Sequence, residues 1–128
     1  MTNRRARSRL QAFRYAFEGW WYVLRTQRNA WLHAVATVAC VALGVWLKVG
    51  RLEWALLALA IGMVWLSEFI NSALEAIVDL ASPELHPLAR VGKDVGAAAV
   101  LIAAVTAAVI GLLVLGPPLW SKVAVILQ

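Results

Sequence analysis

The middle of the chain combines an apolar segment of membrane-spanning length with a stripe of polar side chains. Residues 54–66 are all apolar or small, and the segment continues to about residue 81. Its second half carries four polar residues, Glu68, Asn71, Glu75 and Asp79. Because these positions follow each other at intervals of three, four and four residues, their side chains fall within roughly 80° of one helix face. Carboxylates are costly inside a membrane, so the stripe predicts a functional site.

Two further segments are long and apolar enough to cross a membrane. The three predicted spans cover residues 30–47, 54–81 and 95–116, and one crossing takes about 20 mostly apolar residues. The chain is 62% hydrophobic and 15% charged, whereas soluble domains are about 25% charged. We therefore predict an all-α integral membrane protein, with residues 1–128 forming a single membrane domain. Oligomerisation is the expected way for so small a bundle to cover its polar stripe.

The residues before the first span predict a helix that lies on the membrane surface. Over about 4–27, arginines alternate with apolar residues at three- and four-residue steps, namely Leu10, Phe13, Phe17, Trp20 or Trp21, and Leu24. A basic amphipathic helix of this kind binds an anionic membrane surface. We therefore expect no binding of nucleic acid, although the net charge is +5.

The distribution of basic residues predicts the orientation in the membrane. Seven arginines precede the first span. The first loop carries only Lys48 and Arg51, and the second loop carries Arg90 and Lys93. The positive-inside rule then places the N-terminus and the second loop in the cytoplasm. The polar stripe lies at the same end, where nucleotides are available.

The stripe and the second loop together offer the parts that phosphoryl transfer requires. Glu68 lies deepest, at the level of a lipid headgroup hydroxyl, and is suited to act as a general base. Glu75 lies nearer the cytoplasm, where carboxylate oxygens suit Mg²⁺ that is shared with substrate phosphates. Asn71 lies between them and can position a carboxylate or a hydroxyl. Lys93 begins the third span, where its ammonium group and the helix N-terminus both favour an anion.

Simpler interpretations exist for several residues, and two other classes of protein compete. Lys93 and Asp94 fit a charge pair at a helix start, His86 fits a loop-shaping role, and His33 fits a packing residue of the first span. A small proton-coupled transporter would also use intramembrane carboxylates. It predicts charges near the midplane, whereas these charges cluster toward one end and continue into the loop. A non-enzymatic scaffold leaves the acidic stripe unexplained.

Two stretches carry a resemblance to a known family. The first is the string E-x-x-N-S-A-x-E-A-x-V-D over residues 68–79, and the second is Gly-Lys-Asp-Val-Gly-Ala-Ala-Ala-Val over residues 92–100. Together with Glu84-Leu-His86 and the surface segment 13–19, they resemble the prokaryotic diacylglycerol kinase family, which includes the undecaprenol kinases. The resemblance extends over nearly the whole chain.

This resemblance implies a small kinase that transfers the γ-phosphate of MgATP to a lipid hydroxyl. It also implies a homotrimer in the bacterial inner membrane, with composite active sites between neighbouring protomers. By matching positions, Glu68 is the expected catalytic base, Glu75 is a metal ligand, and Asn71 and Asp79 support the site. The positions that match nucleotide contacts are Tyr15, Glu84, His86, Lys93 and Asp94.

The chain departs from the family at one expected metal ligand. Just before the first span, where the family usually has a glutamate, this chain has Gln27. An amide oxygen can still bind Mg²⁺, but it brings no negative charge. The lipid acceptor is also open. The undecaprenol kinases are resembled by Asn29 with His33 and by the segment 86–89. The diacylglycerol kinases are resembled by Ser72 and by the segment 94–99. Of the two lipids, we slightly favour diacylglycerol as the acceptor.

Overall fold

The described part of the chain forms four α-helices, as predicted. The computed structural model describes residues 9–82 and 86–127. Its helices are α1 (Arg9–Thr26), α2 (Arg28–Leu47), α3 (Arg51–Ala81) and α4 (Pro87–Ile126). Helices α2, α3 and α4 are long and apolar enough to cross a membrane. The predicted class, an N-terminal helix followed by three candidate membrane spans, is therefore confirmed.

Helix α1 packs one side against the spans and leaves another side exposed. Val23 is buried together with Ala30 and Trp65, and Trp20 stacks on Trp65 at 4.9 Å between ring centroids. Phe13, on the other hand, is largely exposed. An exposed aromatic on a basic helix fits contact with a membrane surface.

Helices α3 and α4 form the most extensive helix pair. The small residue Gly96 and, at steps of four and three residues, Val100 and Ala103 are buried on α4. Small side chains let two helix backbones approach closely, which is the usual way to pack helices in lipid. This contact holds the start of α4 against the second half of α3, where the polar stripe lies.

The fourth helix is longer than the span predicted within it. It begins at Pro87, where the His86 side chain accepts a hydrogen bond from the Leu88 backbone N–H at 3.2 Å, and proline is well tolerated at a first helical position. It then continues through Pro117 and Pro118 to Ile126. Packing offsets the backbone bonds that these prolines remove: Leu119 packs on an apolar cluster, and Lys122 donates to the Trp46 carbonyl at 2.9 Å.

The lengths of α3 and α4 explain how polar groups can lie at the ends of apolar, membrane-spanning helices. Helix α3 has 31 residues and α4 has 40, which correspond to about 46 Å and about 60 Å. The hydrocarbon core of a bilayer is only about 30 Å thick. Both helices therefore extend well beyond it, and Asp79, in the last turn of α3, is exposed.

Candidate active site

The deep end of the polar stripe is buried inside the bundle. Glu68 is 1% exposed and Asn71 is 7% exposed. Helix α2 covers Glu68, since the Nε2 atom of His33 lies 3.5 Å from Glu68 Oε2. Helix α4 covers Asn71, since Gly96 lies directly against its side-chain oxygen. A single chain therefore covers these two residues, so their burial does not depend on oligomerisation.

Glu75 lies one turn after Asn71, between two amide side chains. The Nε2 group of Gln27 donates to Glu75 Oε2 at 3.0 Å, and the Nδ2 group of Asn71 donates to Glu75 Oε1 at 3.1 Å. Gln27 comes from the junction of α1 and α2, which is 48 residues away in the sequence. The structure thus brings together the two residues that the resemblance implies as metal ligands.

The amide nitrogens of Gln27 and Asn71 face Glu75 in this structure, so both amides would have to turn before their oxygens could join the carboxylate around Mg²⁺. One carboxylate and two amide oxygens are hard ligands, and Mg²⁺ is usually bound by one or two carboxylates together with substrate phosphates. Asn71 Oδ1 is buried and has no hydrogen-bond partner among the described residues. Within residues 9–82 and 86–127, no group of three Asp, Glu, His or Cys residues could hold a metal ion. A metal here would therefore need oxygen ligands from amides and phosphates as well.

Gly96 is the position where α4 comes closest to this cluster. A Cβ atom at residue 96 would collide with Asn71 Oδ1, so glycine is required to keep the amide beside Glu75. We expect Gly96→Ala to lower kcat/KM by about tenfold, because the added methyl would displace Asn71 and weaken its hydrogen bond to Glu75, and a hydrogen bond to a charged group is worth about 1.5–3 kcal/mol. Steady-state kinetics of the purified protein measure the effect.

Gly111→Ala is the matched control for this substitution. It lies on the same helix, and its added Cβ would meet no described atom within 4 Å apart from its chain neighbours and the backbone of its own helix. We expect its kinetics to equal those of the unmodified protein. Equal activity of the Gly96 and Gly111 variants would show that Asn71 does not need its present position.

A cavity of about 790 Å³ lies beyond Glu75, between the end of α3 and the start of α4. Its lining includes three residues that match nucleotide-contact positions, His86, Lys93 and Asp94, and also Asp79, which is expected to support the site. Lys93 Nζ forms an ion pair with Asp79 at 2.5 Å. Arg90 also lines the cavity, with its Nε 3.8 Å from Asp94 Oδ2. The expectation that Lys93 begins this helix is wrong, because α4 begins at Pro87 and Lys93 lies in its second turn. The cations Lys93 and Arg90 still favour a phosphate group, and the volume is in the usual range for small-molecule sites.

Two of the expected nucleotide contacts are not placed in this cavity. Tyr15 lies on α1 with half of its side chain exposed, and the cavity lining does not include it. Glu84 lies outside the described residues. The assignment of both residues therefore stays a prediction.

Sequence reasoning left two neighbours of the site unassigned. Arg90 was counted for its loop charge, although its position one turn before Lys93 on the same helix could have indicated a second phosphate ligand. His33 was interpreted as a packing residue. No spacing signal could have linked it to Glu68, because the two residues meet only through the packing of α2 on α3.

A buried and a half-buried glutamate lie on the same helix face as a cavity with two cations. These groups, all on helices of membrane-spanning length, provide what a phosphotransferase at a membrane needs. Comparison with known proteins agrees with this class. Residues 14–115 match the family described as prokaryotic diacylglycerol kinase. The chain therefore belongs to this family, and it is a multi-pass membrane protein and a lipid kinase, which implies the use of ATP.

Three relatives illustrate the similarity. An undecaprenol kinase of Bacillus subtilis (strain 168) is 38% identical over 109 residues, which are 85% of this chain and 89% of that enzyme. A diacylglycerol kinase of Synechocystis sp. is 41% identical over 113 residues, 88% of this chain and 65% of the relative. A diacylglycerol kinase of Escherichia coli (strain K12) is 36% identical over 95 residues, 69% of this chain and 78% of the relative.

Proposed function

We propose that the protein transfers the γ-phosphate of MgATP to the hydroxyl group of diacylglycerol, giving phosphatidic acid. The observation that carries this proposal is the placement of buried Glu68 and half-buried Glu75 on one helix face, with the cavity that contains Lys93 beyond them. Membership in the prokaryotic diacylglycerol kinase family supports it further.

Undecaprenol is the second candidate acceptor. The relative from Bacillus subtilis is named undecaprenol kinase, and the match covers 89% of it. The site requires only that the acceptor lipid bring a hydroxyl group to Glu68, and both lipids meet this requirement. A proton-coupled transporter, the alternative of another class, is not supported, because the chain belongs to a family of kinases.

In the proposed reaction, Glu68 removes the proton of the lipid hydroxyl while the oxygen attacks the γ-phosphorus. The new O–P bond forms, the bond between the γ-phosphorus and the bridging oxygen breaks, and ADP leaves. Lys93 and Arg90 bind the phosphates from the cavity. Asn71 and Asp79 support the site, since Asn71 donates to Glu75 and Asp79 holds Lys93.

We assign the binding of Mg²⁺ to Glu75 and Gln27. When bound with the nucleotide, the ion neutralises the charge of the phosphates. Glu75 would bring one negative charge, and Gln27 would contribute its amide oxygen. Since this donor set is weakly charged, the nucleotide phosphates would have to contribute much of the affinity for the metal.

The lipid would approach along the apolar groove between α1 and α3. This groove has a volume of about 340 Å³ and is lined by Trp20, Phe69 and Ser72, among others. Ser72 lies one turn from Glu68 and donates to its backbone carbonyl at 2.8 Å. A lipid tail in this groove would therefore bring its headgroup close to the proposed base.

We further propose a homotrimer with active sites shared between protomers, inserted in the bacterial inner membrane with the N-terminus in the cytoplasm. The many exposed apolar side chains of α2, α3 and α4 support lipid or protomer contacts, and the arginines before α2 support the orientation. Mixing Glu68→Gln protomers with Tyr15→Ala protomers tests the shared site, because the cavity lining of a single chain does not include Tyr15. Recovered activity in the mixture supports it, whereas a mixture without activity contradicts it.

A purified-protein assay with labelled ATP tests the proposed reaction. Diacylglycerol, undecaprenol and ceramide are offered separately in the same mixed micelles. We expect the highest kcat/KM with diacylglycerol. Preference for undecaprenol would establish the second candidate, and no transfer to any of the three lipids would overturn the lipid-kinase proposal for this chain.

Gln27→Glu tests the metal assignment directly. The glutamate would face the Glu75 carboxylate, which now accepts a hydrogen bond from Gln27 at 3.0 Å, and a cation between the two carboxylates would relieve their repulsion. We expect the Mg²⁺ concentration for half-maximal activity to fall by about tenfold, since one added charge contact is worth about 1–2 kcal/mol in a partly buried site. Asn29→Asp, which adds the same charge at an exposed position of α2, is the control. An unchanged magnesium titration of the Gln27 variant would refute its role as a ligand.

A further inference from the structure

The proposed catalytic base has one close polar neighbour on another helix. His33 Nε2 on α2 lies 3.5 Å from Glu68 Oε2 on α3. Both atoms are buried, and neither has a hydrogen-bond partner in the part of the chain that the structure describes. Because unpaired buried polar atoms are costly, this pair needs an explanation beyond packing.

The imidazole ring packs against a tryptophan of α3 that is also hydrogen-bonded to α2. It meets the Trp65 ring edge-on, with centroids 6.3 Å apart and planes at 71°. Trp65 Nε1 donates to Thr37 Oγ1 at 3.1 Å, and Thr37 Oγ1 in turn donates to the His33 carbonyl at 2.7 Å. Trp65 lies one turn before Glu68 on α3, so the Trp65–Thr37 hydrogen bond joins α2 to α3 beside His33 and Glu68.

The other charged and polar groups of the site are engaged elsewhere. Gln27 and Asn71 both donate to Glu75, and Lys93 pairs with Asp79. From α4, the nearest element beside the stripe, Gly96 contributes no side chain. His33 is therefore the described side chain that is placed to donate to Glu68 from outside α3.

We propose that His33 is a positioning residue for the catalytic base. Its Nε2–H group donates to Glu68 Oε2 and thereby leaves Oε1 free to meet the lipid hydroxyl. During transfer, the hydroxyl proton moves to Glu68 as the O–P bond forms, while His33 keeps its own proton. This inference rests on the proposed role of Glu68 as the base.

Two substitutions of similar size separate positioning from packing. His33→Gln keeps an N–H donor near the place of Nε2, whereas His33→Met fills a similar volume without a donor. We expect His33→Met to lower kcat by a factor on the order of ten or more, because the substitution removes one hydrogen bond to a charged group. The KM for MgATP should stay unchanged. We expect His33→Gln to stay within about threefold of the unmodified protein, because the donor remains.

The controls distinguish a failure of this inference from a failure of the base assignment. Leu32→Met, at an exposed neighbouring position, reports the effect of a methionine on α2, and thermal unfolding reports the stability of each variant. Equal losses in His33→Gln and His33→Met would indicate packing, and no loss in either would exclude a role; both results overturn the proposal. In a Glu68→Gln background, His33→Met should cause no further loss. Full activity of Glu68→Gln alone would instead refute the base assignment.

Discussion

Glu68→Gln is expected to abolish lipid phosphorylation while the helices and their assembly stay intact. Glutamine has nearly the same shape but cannot accept the proton of the lipid hydroxyl. General base catalysis contributes roughly 10²–10⁴-fold to the rate. We therefore expect kcat to fall by at least about 10²-fold with every lipid acceptor. Initial rates with labelled ATP, measured at saturating lipid and Mg²⁺, provide the value.

The matched control for this prediction is Glu53→Gln. Glu53 lies in the first turn of the same helix, about 22 Å from Glu68 along the helix axis. The same chemical change at this end should leave kcat unaltered. Both variants should show the thermal stability and oligomer size of the unmodified protein. If Glu68→Gln keeps full activity in a correctly assembled protein, another group must remove the proton.

Much of the fold follows from the apolar pattern of the sequence. An apolar segment such as 54–66 forms either a membrane helix or part of a buried core. Polar residues that recur at steps of three and four residues lie on one face of such a helix. The path of α4 did not follow from the sequence in the same way. Pro117 and Pro118 predict a helix end, but the packing of Leu119 and the contact from Lys122 to the Trp46 carbonyl extend the helix past them.

The candidate site was predictable only where its residues share one helix. Asn71 and Glu75 lie one turn apart, so their contact follows from spacing alone. The pairing of Gln27 with Glu75 came from the resemblance and agrees with the observed hydrogen bond. The approach of His33 to Glu68 depends on the rotation of α2 about its axis, which only tertiary packing sets. Sequence reasoning therefore identified the carboxylates but missed the group that faces the deepest one.

Glu75→Gln is expected to raise the Mg²⁺ concentration for half-maximal activity by more than tenfold. Gln27 and Asn71 surround Glu75 with amides, so this substitution removes the negative charge from the proposed metal site. An amide oxygen still binds the ion weakly, and for this reason high Mg²⁺ should restore activity only in part. One charge contact in a partly buried site contributes about 1–2 kcal/mol or more. Its loss corresponds to the expected rise in the Mg²⁺ concentration for half-maximal activity. Magnesium titrations at fixed ATP measure it.

The double substitution Gln27→Glu with Glu75→Gln provides a sharper test of the same assignment. It returns one carboxylate to the site while exchanging its helix of origin, because the two side chains lie 3.0 Å apart. If charge at this place binds the metal, the double variant should need less Mg²⁺ than Glu75→Gln alone. If Glu75 instead acts only by holding Asn71, the added carboxylate should bring no recovery, and the magnesium titration of Glu75→Gln should match that of the unmodified protein. The two roles of Glu75 thus predict opposite results for the same pair of variants.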